Sequence, residues 1–101
     1  MLVEFSIVPL GAGSSISDEV AEILKIVADS GLPYKVNPMG TVVEGSWSQV
    51  FGLIKKCHIT MRRHEERVLT RILIDDRKGR TDMISSKLRS VENKMGKPFN
   101  T

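Results

Sequence analysis

Two segments in which apolar and polar residues alternate, two short β-like runs on either side of a turn, and three longer segments with apolar residues at helical spacing predict an α+β fold from this 101-residue sequence. Their order along the chain is βαββαβα, which favours an antiparallel sheet with helices packed against it. The composition is that of an ordinary globular protein, with 41% hydrophobic and 27% charged residues. We therefore expect one domain over residues 1–101, with a core small enough to benefit from an oligomer interface.

The first strand is predicted over residues 2–9, where apolar residues alternate with more polar ones. Gly11 follows it as a turn residue. Ser17 then marks the start of a helix, because it can act as an N-cap and two acidic residues follow it. Gly31 closes this helix, and Pro33 prevents its continuation.

A hairpin and a long helix are predicted next. Two short strands, at residues 34–37 and 41–45, flank a Pro-Met-Gly turn, which is a hairpin signal. Ser46 and Gln49 then have the spacing of a capping box. The apolar stripe that follows predicts a helix that runs to about His64.

The C-terminal part of the chain predicts one more strand and one more helix. Residues 67–75 alternate again, and Thr81 can cap a helix whose apolar stripe ends at Met95. A βαββαβ core with short connections is the ferredoxin-like split unit, in which both core helices cover one face of an antiparallel sheet. The last helix is then an extra C-terminal element.

The alternation of the strands assigns one face of the sheet to the helices, through Val3, Phe5, Ile7, Val36 and Val43. It leaves the other face, here called the open sheet face, with Glu4, Ser6, Asn37, Glu44 and Arg71. We expect the open sheet face to meet solvent, a ligand or another subunit.

Polar groups around the open sheet face suit a small ligand that offers hydrogen-bond donors and positive charge. They are the carboxylates of Glu4 and Glu44, the amide of Asn37, and the hydroxyls of Ser6 and Thr41. Trp47 follows at the start of the second predicted helix. We interpret Trp47 as a core anchor, with the wall of a binding pocket as the alternative.

Several classes of function are disfavoured by the residues themselves. No nucleophile has an adjacent base, and Cys57, His58 and His64 lack the spacing of a zinc site, so no catalysis, metal or cofactor is indicated. The second central strand has no aromatic residue on which RNA bases stack in this fold. The apolar runs are far shorter than the roughly 20 residues of a membrane span. The lone Cys57 fits a reducing cytosol, so we expect a cytoplasmic protein without nucleic-acid or membrane partners.

Charge is unevenly distributed along the chain. Residues 1–50 carry two basic and six acidic groups, whereas residues 51–101 carry 13 basic and six acidic groups. A basic half can contact the acidic half of another subunit, phosphate ligands or nucleic acid. Arg77, Lys78 and Arg80 precede a predicted helix start, where they can hold an anion or form a charged solvent turn.

Three segments in the same order resemble a known family. They are Pro9-Leu10-Gly11 at the end of the first strand, Asn37-Pro38-Met39-Gly40-Thr41 followed by Glu44-Gly45, and Ile74-Asp75-Asp76-Arg77 with Lys87 and Val91. This set resembles the thiamine-binding protein family, a group of ferredoxin-like proteins of roughly this length. The likeness extends over nearly the whole chain. Ser46 and the Gly79-Arg80 pair depart from the family pattern.

The resemblance implies a cytoplasmic protein that binds thiamine or its hydroxymethylpyrimidine moiety, without catalytic activity, and that assembles as a dimer of dimers through sheet faces and edges. Asn37, Thr41 and Glu44 stand in the matching motif and are implied as ligand residues. Glu44 would pair with the aminopyrimidine or the thiazolium cation, and Asn37 would donate and accept at once. Ser6, Glu4 and Trp47 are added from the open sheet face alone.

Two hypotheses of different class follow. The first is a binding module for thiamine or a related pyrimidine, with its site on the open sheet face or between subunits. The second is an assembly or regulatory protein that has no small ligand and uses the open sheet face for self-association. The small core and the segregated charges motivate the second.

Overall fold

The computed structural model describes residues 1–11 and 17–99 of the chain. It confirms the α+β fold class and the ferredoxin-like order of elements. The elements are β1 (Leu2–Pro9), α1 (Ser17–Asp29), β2 (Tyr34–Asn37), β3 (Gly40–Glu44), α2 (Trp47–His64), β4 (Val68–Asp75) and α3 (Met83–Met95). Ser17, predicted as the N-cap, is itself the first helical residue of α1, and residues 12–16 before it lie outside the described residues.

The four strands form one antiparallel sheet in the order β2-β3-β1-β4. β1 pairs with β4 along its whole length, from Leu2 opposite Asp75 to Pro9 opposite Val68. Its pairing with β3 is shorter and ends where Phe5 lies opposite Thr41. β1 and β3 are therefore the central strands, as the split unit requires.

The core lies between the sheet and the two helices α1 and α2. It consists of Val3, Phe5, Ile23, Val27, Val43, Val50, Leu53, Ile54, Cys57 and Met61. The thiol of Cys57 is buried here, and burial raises its pKa to about 11, against a smaller opposing effect of the Lys56 charge. Cys57 is therefore a core residue with little thiolate character at neutral pH.

The capping box at the start of α2 is confirmed. The Gln49 backbone N–H donates to the Ser46 hydroxyl at 3.3 Å, and the Ser46 backbone N–H donates to the Gln49 side-chain oxygen at 3.0 Å. These two bonds satisfy amide groups that a helix start otherwise leaves free. The Ser46 and Gln49 spacing therefore marks the start of α2 for the predicted reason, which is reciprocal capping.

α3 extends away from the rest of the molecule. Met83 is its one buried residue, whereas Leu88, Val91 and Met95 are 36%, 46% and 46% exposed. The radius of gyration of 15.0 Å correspondingly exceeds the roughly 13 Å of a compact domain of about 100 residues. The apolar stripe of α3 is therefore largely uncovered in the single chain.

The prediction that Thr81 caps α3 is wrong. The N-cap is Asp82, whose backbone is left-handed with a φ of 56° and whose side chain makes no capping hydrogen bond. The amide groups at the start of α3 are instead satisfied from the sheet, by a carboxylate described below. A residue distant in sequence has therefore taken over the capping role.

Candidate functional site

A gap in the sheet begins where β3 ends its pairing with β1. Beyond Phe5, β1 continues through residues 6–9 with β4 on one side. On its other side no strand among the described residues pairs with it. The turn between β2 and β3 and the first turns of α1 flank this gap. The unequal lengths of β1 and β3 thereby open a recess beside the hairpin.

This recess is a cleft of about 210 Å³, here called the hairpin cleft. Its lining includes the polar residues Ser6, Asn37 and Thr41 and the apolar residues Val20, Leu24 and Val36. None of the described residues that line it is charged. The cleft is smaller than the roughly 300–1,000 Å³ of sites for drug-sized molecules, so its volume suits a single ring.

Gly40 holds the hairpin turn close to β1. A Cβ atom placed on Gly40 would lie 3.2 Å from the backbone oxygen of Phe5 and 3.5 Å from Cγ of Glu4. The first of these contacts is tighter than ordinary packing, and a backbone atom cannot rotate away from it. The close approach of the turn, and with it the shape of the hairpin cleft, depends on a residue without a side chain.

A second, smaller recess lies on the open sheet face. It has a volume of about 150 Å³ and brings together Glu4, Ser6, Arg71, Leu73 and Met39. Ser6 and Met39 also line the hairpin cleft, so the two recesses adjoin at the turn. This open-face recess differs from the hairpin cleft in carrying both a carboxylate and a guanidinium.

Glu44 lies at the other end of β3 and lines neither recess. Its side chain is on the open sheet face, as its position opposite Leu2 requires, yet the residue is only 8% exposed. Its carboxylate accepts hydrogen bonds from the backbone N–H groups of Met83 at 2.9 Å and Ile84 at 3.2 Å. It therefore caps α3, where a negative charge is also favoured by the helix dipole. The ligand role of Glu44 stays a prediction, because both oxygens are engaged by α3 in the single chain.

Thr41 lies on the helix-covered face, and its placement among the polar groups of the open sheet face is wrong. The register sets Thr41 opposite Phe5 on one side and opposite Val36 on the other, and both side chains point towards the helices. Thr41 is buried there and its hydroxyl belongs to the hairpin cleft. The structure thus joins Thr41 with Asn37 and Ser6, and separates it from Glu44.

Trp47 is not a core anchor. It is 57% exposed and stacks on Phe51, with ring centroids 5.0 Å apart and planes inclined by 10°. Both residues lie on the flank of α2 that faces β4, the side on which His58 contacts Thr70 at 2.6 Å. Trp47 lines neither the hairpin cleft nor the open-face recess.

The α1 wall of the hairpin cleft was not identified from the sequence. Val20 and Leu24 look like ordinary core positions of an amphipathic helix, since their spacing matches that of Ile23 and Val27. A usable signal was the length of β1, which exceeds that of β3 and therefore leaves an unpaired strand end beside the first turns of α1.

The described part of the chain gives little support for a metal site or a membrane-spanning helix. Within residues 1–11 and 17–99, no three His, Cys, Asp or Glu side chains come together as a metal site would require. None of the three helices in that part is long and apolar enough to cross a bilayer.

The fold and its recesses define the class of protein: a ferredoxin-like domain with an open sheet face and an uncharged cleft beside its hairpin. The sequence matches the family model described as thiamine-binding protein over residues 3–92, and the chain belongs to that family. The resemblance inferred from the three ordered segments is thereby confirmed.

Relatives cover nearly the whole chain. A UPF0045 protein of Mycobacterium bovis, Mb1933, is 35% identical over 99 residues, which are 97% of each protein. The crystal structure of the Methanocaldococcus jannaschii protein MJ1052 has a TM-score of 0.81 at 33% identity and covers 89% of this chain and 93% of that one. These names state no catalytic activity.

A second structural neighbour comes from Thermotoga maritima. It is described as a proposed thiamine biosynthesis/salvage protein, and it matches with a TM-score of 0.73 at 22% identity over 85% of this chain and 95% of that one. At that identity the similarity supports the shared fold.

Proposed function

We propose that this protein binds thiamine or its hydroxymethylpyrimidine moiety in the hairpin cleft, without catalysing a reaction on it. The observation that carries this proposal is the meeting of Ser6, Asn37 and Thr41 in one uncharged cleft. Asn37 and Thr41 are the ends of the turn motif on which the family resemblance rests. Membership of the thiamine-binding protein family supplies the class of ligand.

The chemistry of the cleft matches the pyrimidine half of thiamine. An aminopyrimidine is flat and neutral, and it presents amine donors beside ring-nitrogen acceptors. The Asn37 amide can both donate and accept, and the Thr41 hydroxyl can do the same. Val20 and Leu24 offer apolar contacts for the ring. The volume of about 210 Å³ suits one ring of thiamine better than two.

The thiazolium ring of thiamine is a permanent cation, and burying a charge without a partner is costly. The uncharged lining of the hairpin cleft therefore favours a pose in which this ring stays outside. The adjoining open-face recess holds the carboxylate of Glu4 near the turn. Glu4 is the group we assign to the cation, whereas Asn37 and Thr41 hold the pyrimidine.

The proposal includes three further properties: the protein has no resident cofactor, it is cytoplasmic, and it forms a homo-oligomer. The buried, unpaired thiol of Cys57 fits a reducing compartment. The uncovered apolar stripe of α3 is the feature that supports self-association, for which the family resemblance implies a dimer of dimers.

The test is calorimetric titration with thiamine, thiamine phosphate, hydroxymethylpyrimidine and choline as an unrelated cation. Thiamine and hydroxymethylpyrimidine are expected to bind, and choline is not. Asn37→Ala and Thr41→Val should each weaken binding about fivefold, the equivalent of about 1 kcal/mol for one neutral hydrogen bond. Asn93→Ala, on the exposed surface of α3, is the matched control. Unchanged affinity in both cleft variants would remove the hairpin cleft from the site.

The second candidate is an assembly protein without a small ligand, and specific exposed surfaces favour it. Leu69 and Leu73 on the edge strand β4 are 52% and 69% exposed, in addition to the stripe on α3. Sedimentation over a dilution series, with and without thiamine, separates the candidates. A stable oligomer that shows no calorimetric binding signal with any of the ligands would favour the assembly protein.

A further inference from the structure

A groove runs along α3 from Met83 to Asn93, and all of its charged lining residues are basic. It has a volume of about 550 Å³. We call it the α3 groove and define it by its polar lining, which comprises Arg77, Arg80, Lys87, Arg89, Ser86, Ser90 and Asn93. No carboxylate is found among the described residues that line it.

The positive charge of the α3 groove is largely unneutralised. Within the described ranges Lys87 forms an ion pair with Asp75, and His64 hydrogen-bonds to Glu22, a contact that is an ion pair only when the imidazole is protonated. The hydrogen bond from Lys87 lowers the pKa of the Asp75 carboxyl, so this pair stays ionised at neutral pH. None of the three arginines forms an ion pair in the described structure, although the charge of Arg77 also contributes to lowering the pKa of Asp75. Their guanidinium groups can therefore contact an external anion.

We propose that the α3 groove binds the phosphate chain of a small polyphosphate, such as pyrophosphate or a nucleoside diphosphate. Arginine presents planar pairs of donors that match phosphate oxygens bidentately, and serine hydroxyls add further donors. A volume of about 550 Å³ lies within the range of small-molecule sites. The lining offers no aromatic ring on which a nucleic-acid base would stack, so a small polyphosphate fits better than a single strand.

The location of the groove makes it independent of the thiamine proposal. It begins at Met83, which is bound to Glu44 at one end of β3, whereas the hairpin cleft begins at Gly40 at the other end. The five residues of β3 separate these ends by roughly 13 Å. The α3 groove and the hairpin cleft are therefore separate recesses, and we treat a polyphosphate in the groove as a second ligand beside thiamine.

Self-association through α3 leaves most of the groove accessible. Ser86 and Ser90 lie on one side of the helix, and the exposed apolar residues Leu88 and Met95 lie on the opposite side at helical spacing. Val91 belongs to the apolar stripe and also lines the groove, so the two surfaces adjoin at that residue, and a partner on Leu88 and Met95 leaves the side with Ser86 and Ser90 open.

The experiment is calorimetric titration of the full chain with inorganic pyrophosphate and with ADP at fixed ionic strength. The triple variant Arg77→Gln, Arg80→Gln, Arg89→Gln should lose at least tenfold in affinity for both. A matched control removes the same charge from exposed positions of α2, as Lys55→Gln, Lys56→Gln, Arg63→Gln, and should change affinity less than twofold. Equal affinities for pyrophosphate and ADP would show that the groove recognises the phosphates alone. Tighter binding of ADP would show that the groove also contacts the nucleoside.

Several outcomes would overturn the proposal. They are absence of pyrophosphate binding to the parent protein, equal weakening by the α2 control, and tighter binding of a single-stranded RNA than of either probe. Thermal unfolding of both triple variants verifies that each is folded. Saturation with thiamine should leave the pyrophosphate affinity unchanged, and competition between the two would contradict separate sites whether or not thiamine binds in the hairpin cleft.

Discussion

The two ends of β3 use polar side chains for opposite purposes. At the Gly40 end, Asn37 and Thr41 line an uncharged cleft and make no side-chain hydrogen bond within the described protein. At the other end, the carboxylate of Glu44 is buried and holds the start of α3. Residues that lie within one short sequence motif are thus divided between an open recess and an internal contact. Shared presence in a motif does not imply a shared site.

Replacing Glu44 gives the largest effect expected from this comparison. Glu44→Ala leaves the buried Met83 amide without an acceptor, at a cost of about 2–3 kcal/mol for bonds to a charged group. Hydrogen exchange should become fast at the α3 amides, and the free energy of unfolding should fall. Glu66→Ala, at an exposed position, is the control for loss of one acid.

Thiamine titration of the same variant sharpens the comparison. If Glu44 serves only to cap α3, the thiamine affinity of the folded Glu44→Ala protein should stay within about twofold of the parent affinity. This corresponds to a change of less than about 0.4 kcal/mol in the free energy of binding. A large loss of affinity in a protein with intact α1 and α2 would place Glu44 in the ligand site after all.

Glycine substitution tests the close approach at the Gly40 end. Gly40→Ala should destabilise the protein by about 1 kcal/mol and weaken thiamine binding, because the added Cβ forces the hairpin away from the Phe5 backbone. Gly52→Ala is the matched control on α2, where a Cβ meets nothing within 4 Å. It should stabilise the protein by about 0.5–1 kcal/mol, since alanine is the better helix former. Chemical denaturation measures both, and equal signs for the two would contradict the assigned packing.

The smallest effect concerns pH at the α3 end. The pKa of Asp75 is lowered by its hydrogen bond to Lys87 and by that residue's charge, so the pair contributes stability above the unfolded-state pKa and loses it as pH falls through the folded-state pKa. Helicity of α3 should therefore decline modestly below about pH 4. Asp75→Asn should remove this component of the pH dependence. Hydrogen exchange of α3 amides between pH 3 and pH 6 is the measurement, after correction for the intrinsic exchange rate, and an unchanged profile in Asp75→Asn would count against the pair.

Alternation and capping chemistry were sufficient to predict the fold. The strands that alternate, the capping box at Ser46 and Gln49, and the short connections leave few topologies other than the split unit. The error at Thr41 was avoidable from the same signal. Thr41 lies two residues before Val43, so the two side chains share a face of β3.

The remaining differences between the predicted and observed positions, at Glu44 and Trp47, could not be foreseen from local sequence patterns. The outward direction of Glu44 follows from alternation, but nothing nearby in sequence reveals that α3, about 40 residues later, returns to that side chain. Trp47 fits the apolar stripe of α2 by spacing, yet the helix turns Val50, Leu53 and Cys57 towards the core and leaves Trp47 at the flank. Long-range packing decided both positions.

The place of Trp47 also determines what can be observed in solution. It is the single tryptophan of the chain, it is mostly exposed, and it stacks on Phe51 beside the edge strand β4. Its fluorescence therefore reports on the α2 and β4 flank and not on the hairpin cleft. A blue shift of the emission with rising protein concentration would indicate association at that flank, whereas ligand binding in the hairpin cleft would leave the emission unchanged.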